Sequence, residues 1–212
     1  MSTLFASLTM SLDGFVAGPD PSMKDPIGVG GQQMHEWAFG AMAWREQHGL
    51  EGGEKNVDSD VIVEVTEGVG AGIMGRKMFS GGAGPWEDDG NDRGWWGDEP
   101  PFGHPVFVLT HHPREPLELT GTTFYFVTDG PEAALARARE AAGDGKIQVH
   151  GGASPLQQYL ESGDLDELQV SLAPVLLGAG TPLLRGVTGK LARTRVIESP
   201  TGVVHVKYAL IK

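Results

Sequence analysis

The stretch Ile147-Gln148-Val149-His150-Gly151-Gly152-Ala153-Ser154-Pro155-Leu156-Gln157-Gln158-Tyr159-Leu160 constrains the fold more than any other, because it reads as a buried strand running straight into a helix. Ser154 is expected as the helix N-cap, with Pro155 at the first helical position, where a missing N–H costs nothing. Leu156, Tyr159 and Leu160 then share a helical face, and Gly163 ends the helix. Gly151-Gly152 admits two readings. The pair permits a tight connection, and it also lets a ligand approach the backbone at a helix N-terminus, whose outward N–H groups suit a phosphate or pyrophosphate.

Around this junction the second half of the chain alternates element types. Strands are predicted at Val106–Thr110, Thr123–Val127 and Leu168–Ala173, and an Ala-rich helix from Asp129-Gly130-Pro131-Glu132 to Ala142. Leu191–Ile197 and Val203–Leu210 read as a closing antiparallel pair around Pro200-Thr201-Gly202, after an apolar loop from Pro174 to Gly180. Such an order implies an α/β sheet, mostly parallel, with an antiparallel edge, on which ligands sit at the carboxyl ends of strands.

The first half is less regular. Thr3–Leu12 alternates as a strand into the Asp13-Gly14 turn. Met34, Trp37, Ala38, Ala41 and Trp44 recur at helical spacing and predict one helix over about Gln32–His48, its tryptophans either buried or lining a pocket. Asp58 or Ser59 is expected to cap a second helix through about Glu67, with Ile62, Val63 and Val65 as its apolar contacts. The carboxylates Asp58, Asp60, Glu64 and Glu67 read as a solvated face. A short strand, Ile73-Met74, is closed by Gly75-Arg76-Lys77, whose cations serve either as a local phosphate clamp or as a surface pair. Ser80–Pro105 is a long loop carrying Trp86, Trp95 and Trp96, suited to an active-site lid or an oligomer contact. Gly75-Arg76, Thr110-His111 and Gly151-Gly152 all fall at strand ends, and their convergence says more than any one of them.

Composition removes several classes of function. The net charge of −12 and a pI near 4.9 leave no basic stripe for nucleic acid or an anionic membrane surface. There is no cysteine, hence no disulfide and no thiolate ligand or nucleophile. Adjacent His111 and His112 on an extended segment point oppositely, so no metal site is expected. No span-length apolar run or secretory leader is read, and a soluble cytoplasmic protein is the expectation. No Walker-type loop, complete G-x-G-x-x-G or G-x-S-x-G elbow is present.

Taken in order, a set of short motifs resembles the dihydrofolate reductase superfamily, and within it the bacterial branch similar to the C-terminal reductase domain of riboflavin biosynthesis. The first three are Ser11-Leu12-Asp13-Gly14-Phe15-Val16-Ala17, Ile73-Met74-Gly75-Arg76-Lys77-Met78-Phe79 and Val106-Phe107-Val108-Leu109-Thr110. Then come Val149-His150-Gly151-Gly152-Ala153-Ser154, Asp166-Glu167-Leu168, and Pro174-Val175-Leu176-Leu177-Gly178-Ala179-Gly180-Thr181-Pro182-Leu183-Leu184. The resemblance implies a three-layer α/β/α sandwich with a mixed sheet and an antiparallel C-terminal edge. It implies a single domain over residues 1–212, with insertions near 19–56 and 80–103.

It further implies an NADPH site. Gly75 and Arg76, with Lys77, face the adenosine 2′-phosphate. Gly151, Gly152, Ala153 and Ser154 take the pyrophosphate, Thr110 and His111 lie beside the adenine ribose, and Thr9, Val16 and Ala17 border the nicotinamide. Substrate is expected under the loops of Val16, Trp86 and Leu176. Dihydrofolate reductases carry a carboxylate in the helix before the Gly-Arg strand. Counting back from Gly75 without gaps places that position on Ser59, between Asp58 and Asp60, which become the catalytic candidates. The expected activity is NADPH-dependent reduction of a small heterocyclic or carbonyl-type substrate. A non-catalytic small-molecule-binding protein on the same fold is the alternative, and Trp95-Trp96 is the expected contact of a homodimer.

Overall fold

A computed structural model describes residues 2–22, 25–82, 84–86 and 93–211. The strands are β1 (Leu4–Ser11), β2 (Phe15–Ala17), β3 (Val69–Gly75), β4 (Val106–Leu109), β5 (Leu117–Leu119), β6 (Thr122–Val127), β7 (Lys146–Gly151), β8 (Glu167–Ala173), β9 (Thr181–Pro182), β10 (Leu191–Glu198) and β11 (Val204–Leu210). The α-helices are α1 (Glu36–Gly40), α2 (Met42–Gln47), α3 (Val57–Thr66), α4 (Arg76–Ser80), α5 (Pro131–Ala142) and α6 (Ala153–Ser162). Nine strands hydrogen-bond in the order β10-β11-β8-β1-β7-β3-β4-β6-β5, and β2 pairs with β9 apart from them.

The chain divides into two compact units: Gly68–Leu165 with the start of the chain through Ala6, and Ser7–Glu67 with everything from Asp166 onward. In the first, β7, β3, β4 and β6 run parallel, and β5 returns antiparallel on β6. Helices α5 and α6 pack on these strands. One core cluster joins Met74, Val106, Val108, Phe124 and Phe126, alternate positions on one face of their strands, with Phe79 of α4. Strand β3 is longer than the predicted Ile73-Met74 piece because its glycines serve close approach: a methyl on Gly70 would sit 2.7 Å from the Ala142 carbonyl oxygen, and one on Gly72 2.3 Å from His150 Nε2.

In the second unit β8, β11 and β10 pair antiparallel in that spatial order, so the chain returns through β11 between the other two, as expected for an antiparallel C-terminal edge. Its cores gather Ala38, Ala41, Ala43 and Ile62 in one cluster and Met34, Ala173 and Val203 in another, with Trp37 half-buried against both. The mixed α/β architecture follows the sequence reading.

Local boundaries depart from it in three places. Helix α6 starts at Ala153 with Gly152 as its N-cap, so Ser154 is its second residue and Pro155 its third. Proline is accommodated there because first-turn N–H groups have no helical partner in any case. The helix over 32–48 is broken at Ala41, which is extended (φ −76°, ψ 137°), and Met42 N donates to the Glu54 carbonyl at 2.9 Å. A neighbouring segment thus takes over the backbone bond that a continuous helix would have made. Helix α3 is capped by Asn56, whose side-chain oxygen accepts from Asp58 N and Ser59 N at 3.0 and 3.1 Å. That shift turns Asp58 inward: it is fully buried, whereas Asp60 stays exposed, and Val61 rather than Val63 joins the core beside Ile62. Residues 83 and 87–92 of the long loop lie outside the described residues.

Candidate functional site

Parallel pairing brings three of the predicted motifs to one end of the first unit's sheet. Gly75 is the register partner of Leu109, immediately before Thr110, and Met74 is the partner of Gly151. A methyl on Gly75 would meet Pro155 Cγ at 3.1 Å and Gly152 N at 3.7 Å, so the end of β3 abuts the β7–α6 junction. Gly75-Arg76, Thr110-His111 and Gly151-Gly152-Ala153-Ser154 therefore fall at one end of these parallel strands.

Arg76 opens α4, and its guanidinium carbon lies over the Trp86 indole, 3.7 Å from the ring centroid, while it also donates to Ser80 Oγ. Trp86 is fixed in turn: its Nε1 donates to the His112 carbonyl at 2.9 Å, and its ring meets Phe79 and Phe126 edge-on. Thr110 Oγ1 accepts from His112 N at 3.1 Å, which shapes the loop after β4. Lys77 and His111 are exposed, and Thr110 is buried. Arg114 is a cation that sequence reading missed. Its guanidinium lies 5.0 Å from the ring centroids of both Trp86 and Phe126. Two arginines thus flank one indole in an otherwise acidic chain.

A second missed pair is His104 and His150, whose Nε2 atoms approach to 3.1 Å with ring planes 11° apart. Burial holds both below the usual histidine range, His104 at about 4 and His150 at about 3, the latter pushed further by its neighbour. They lie too far apart in sequence for a spacing rule to find them, and Gly72, whose missing side chain makes room for His150, is the one local sign.

In the second unit Thr9 is buried on β1 and accepts from Trp37 Nε1 at 3.3 Å. Val16 and Ala17 are half-buried on β2, and Gly180 passes so close that a methyl there would overlap the Ala17 carbonyl oxygen at 2.0 Å. Leu176 is 72% exposed. Its loop is held by Asp13, which sequence reading treats only as a turn residue. The Asp13 carboxylate accepts from Ser11 Oγ at 2.6 Å and from Leu177 N and Gly178 N at 3.1 and 2.7 Å. The Ser11 hydroxyl first, and the two backbone N–H groups after it, hold that carboxyl below its ordinary range. Asp58 is enclosed by His205 Nε2 at 2.7 Å, Ser199 Oγ at 2.7 Å and Thr201 Oγ1 at 3.0 Å. Ser59 is also occupied, with its hydroxyl accepting from Ala43 N at 3.0 Å. Among the described residues no three potential metal ligands cluster, and no helix is long and apolar enough to cross a membrane.

A model of the RibD C-terminal domain matches residues 2–205. The chain belongs to the RibD C-terminal domain family. Solved structures similar to this family member include a putative riboflavin biosynthesis protein from Shewanella sp. PV-4, at 19% identity and TM-score 0.63, with 99% of each chain covered. A pyrimidine reductase-like protein from Corynebacterium diphtheriae aligns at 14% identity and TM-score 0.60, over 100% of this chain and 92% of the other. A bifunctional deaminase and 5-amino-6-(5-phosphoribosylamino)uracil reductase from Thermotoga maritima aligns at 11% identity and TM-score 0.57, over 99% of this chain and 57% of that one. At such identities these likenesses show the RibD C-terminal fold alone. An uncharacterized protein, YwjB, from Bacillus subtilis is 31% identical over 65 residues, which span 31% of this chain and 37% of that relative.

Proposed function

We propose that this RibD C-terminal domain protein is an NADPH-dependent reductase of a small heterocyclic substrate, with a pyrimidine-like ring as the leading class. The observation that carries the reading is the convergence of Gly75-Arg76, Thr110-His111 and Gly151-Gly152 at one strand end. The residues there fit a dinucleotide phosphate. Side-chain-free Gly152, with nothing within 4 Å of an added methyl, leaves the backbone open to approach, the first turn of α6 offers N–H groups at Ala153 and Ser154, and Arg76 supplies a planar cation for the 2′-phosphate. The stack on Trp86 sets the orientation of that guanidinium, so Trp86 acts through Arg76. Exposed Leu176 is the substrate contact, on a loop that Asp13 holds. Thr9, Val16 and Ala17 are assigned to the nicotinamide by family resemblance.

Bound NADPH supplies the hydride. The chain supplies binding and orientation, which lower the barrier without a dedicated acid. Three hydrogen bonds enclose Asp58, so it is assigned no proton transfer to substrate.

The test is a tryptophan-fluorescence titration with NADPH and with NADH, on the wild type and Arg76→Ala. NADPH is expected to bind at least tenfold more tightly than NADH, roughly the worth of one charge-assisted phosphate pair, and Arg76→Ala to erase most of that margin. Equal binding of both nucleotides by the wild type overturns the 2′-phosphate assignment. Binding without NADPH oxidation across pyrimidine and carbonyl substrates leaves the binding-protein reading instead.

A further inference from the structure

Thr9 sits on β1 with 7% of its surface exposed, and its hydroxyl carries one hydrogen and two lone pairs. The Trp37 indole donates to that oxygen from Nε1 at 3.3 Å. An indole N–H can only donate, so Thr9 is the acceptor in this bond and its own hydrogen is turned elsewhere. Among the described residues no group accepts that hydrogen. Two positions further along the same strand, the Ser11 hydroxyl is used in both directions, donating to Asp13 Oδ1 at 2.6 Å and accepting from Phe15 N at 2.9 Å. A buried donor left without an acceptor carries a desolvation cost that a bound acceptor removes.

The indole is itself held in place. Helix α1 has only five residues, too few to be stable alone, and its end is tied down by Met42 N donating to the Glu54 carbonyl at 2.9 Å and Glu54 N donating to the Gly40 carbonyl at 2.8 Å. His205 stands edge-on to the indole, with ring centroids 4.9 Å apart and planes at 70°. Both nitrogens of that imidazole are taken, Nε2 by Asp58 at 2.7 Å and Nδ1 by Ser171 at 2.8 Å, so it cannot turn without breaking one of these bonds. Trp37 also packs on the cluster of Met34, Ala173 and Val203. A run of fixed contacts thus leads from Asp58 through His205 and Trp37 to Thr9, all within the second unit.

We infer that Trp37 is a positioning residue that sets Thr9 as the hydrogen-bond donor to the carboxamide oxygen of the nicotinamide. The inference rests on the proposed NADPH reading, which assigns Thr9 to the nicotinamide, and adds the atom recognised, the direction of the bond and the residue that fixes that direction. A free threonine hydroxyl rotates to donate or to accept; with the indole on one lone pair, its hydrogen swings away from Trp37 and a ligand meets a donor. A carbonyl oxygen is the acceptor that suits it, and the nicotinamide carries one, on its carboxamide. Trp37 belongs to the insertion near 19–56, so family resemblance assigns it no role. The Asp58 cluster, which takes no part in proton transfer to substrate, serves here to brace the indole in one orientation.

The experiment is isothermal titration calorimetry of the full chain with NADPH, with its thionicotinamide analogue, in which sulfur replaces the carboxamide oxygen, and with adenosine 2′,5′-bisphosphate, which lacks the nicotinamide. The wild type is expected to bind NADPH about three- to tenfold more tightly than the analogue, the worth of one neutral hydrogen bond, because sulfur accepts poorly. Thr9→Val keeps the shape of the side chain and removes this margin, with the affinity for the bisphosphate unchanged, whereas Thr9→Ser keeps the margin. Trp37→Phe retains a ring but not the N–H, and reduces the margin to under about twofold because the Thr9 hydroxyl is then free to turn. Equal binding of NADPH and the analogue by the wild type, an equal loss for all three probes in Thr9→Val, loss of the margin in Thr9→Ser, or a full margin in Trp37→Phe each overturns the inference while the nucleotide reading stands. A wild type that binds neither NADPH nor the bisphosphate overturns the nucleotide reading itself, and this inference with it.

Discussion

Asp58 Oδ1 lies 2.7 Å from His205 Nε2, with the two side chains 0% and 2% exposed. The other ring nitrogen of His205 meets Ser171 Oγ at 2.8 Å, and Ser199 and Thr201 hydroxyls take the second carboxylate oxygen, so every polar atom of the cluster has a partner. Removing one member leaves the buried polar atoms of the others without their partner. Asp58→Ala is expected to lower stability by about 3–5 kcal/mol in urea denaturation. A loss under about 1 kcal/mol would mean that solvent reaches the cluster.

The His104 and His150 pair makes the fold acid-sensitive. Unfolded, each takes its proton near 6.5; folded, burial delays this to about 4 and about 3. Between those values the unfolded chain binds more protons than the native one, so this contribution is complete above pH 6.5 and is lost as the pH falls toward 4. Melting curves from pH 7.5 to 4 should show Tm falling steadily below 6.5. A variant with both His104→Gln and His150→Gln should show a visibly shallower slope, and an identical slope removes the pair from the account.

Two glycines separate structural need from ligand need. A methyl on Gly72 overlaps His150, whereas Gly152 has φ −77° and nothing within 4 Å of an added methyl. Gly72→Ala should cost about 1–3 kcal/mol through overpacking. Gly152→Ala should leave the melting temperature nearly unchanged and weaken NADPH binding, because the new methyl stands where the pyrophosphate would approach the backbone. Undiminished NADPH affinity in Gly152→Ala would show that the glycine pair serves only the strand–helix turn.

Trp86 holds Arg76 by stacking at 3.7 Å. Losing that stack forfeits about 0.5–1 kcal/mol of orientation, so Trp86→Leu should raise the NADPH dissociation constant roughly three- to fivefold and leave that for NADH in place. An equal change for both nucleotides would show that Trp86 acts on the loop after β4 through His112 rather than on the cation.

The strand-end motifs were legible in the sequence because each rests on local chemistry. Gly75-Arg76, Thr110-His111 and Gly151-Gly152 are contiguous, and parallel strands place contiguous motifs at a common end. Helix boundaries were less legible where a distant segment intervenes, as when Glu54 bonds into the break at Ala41. Sequence alone points to Asp58 or Ser59 rather than Asn56 as the cap of α3 because Asn, Asp and Ser all make good caps. The interior roles of Asp58, His104 and Asp13 are out of reach of any window, since their partners include His205, His150 and Gly178.

The sequence separations within the Asp58 cluster set a timetable for biosynthesis. Its carboxylate emerges 141, 143 and 147 positions ahead of Ser199, Thr201 and His205. At ordinary translation speeds that interval lasts on the order of ten seconds, during which all of Gly68–Leu165 is made and its parallel strands are free to pair. Until the late residues arrive, α3 carries a carboxylate that only water can serve. The unit encoded in the middle of the message can therefore mature first, and the unit encoded at both ends closes last, around Asp58.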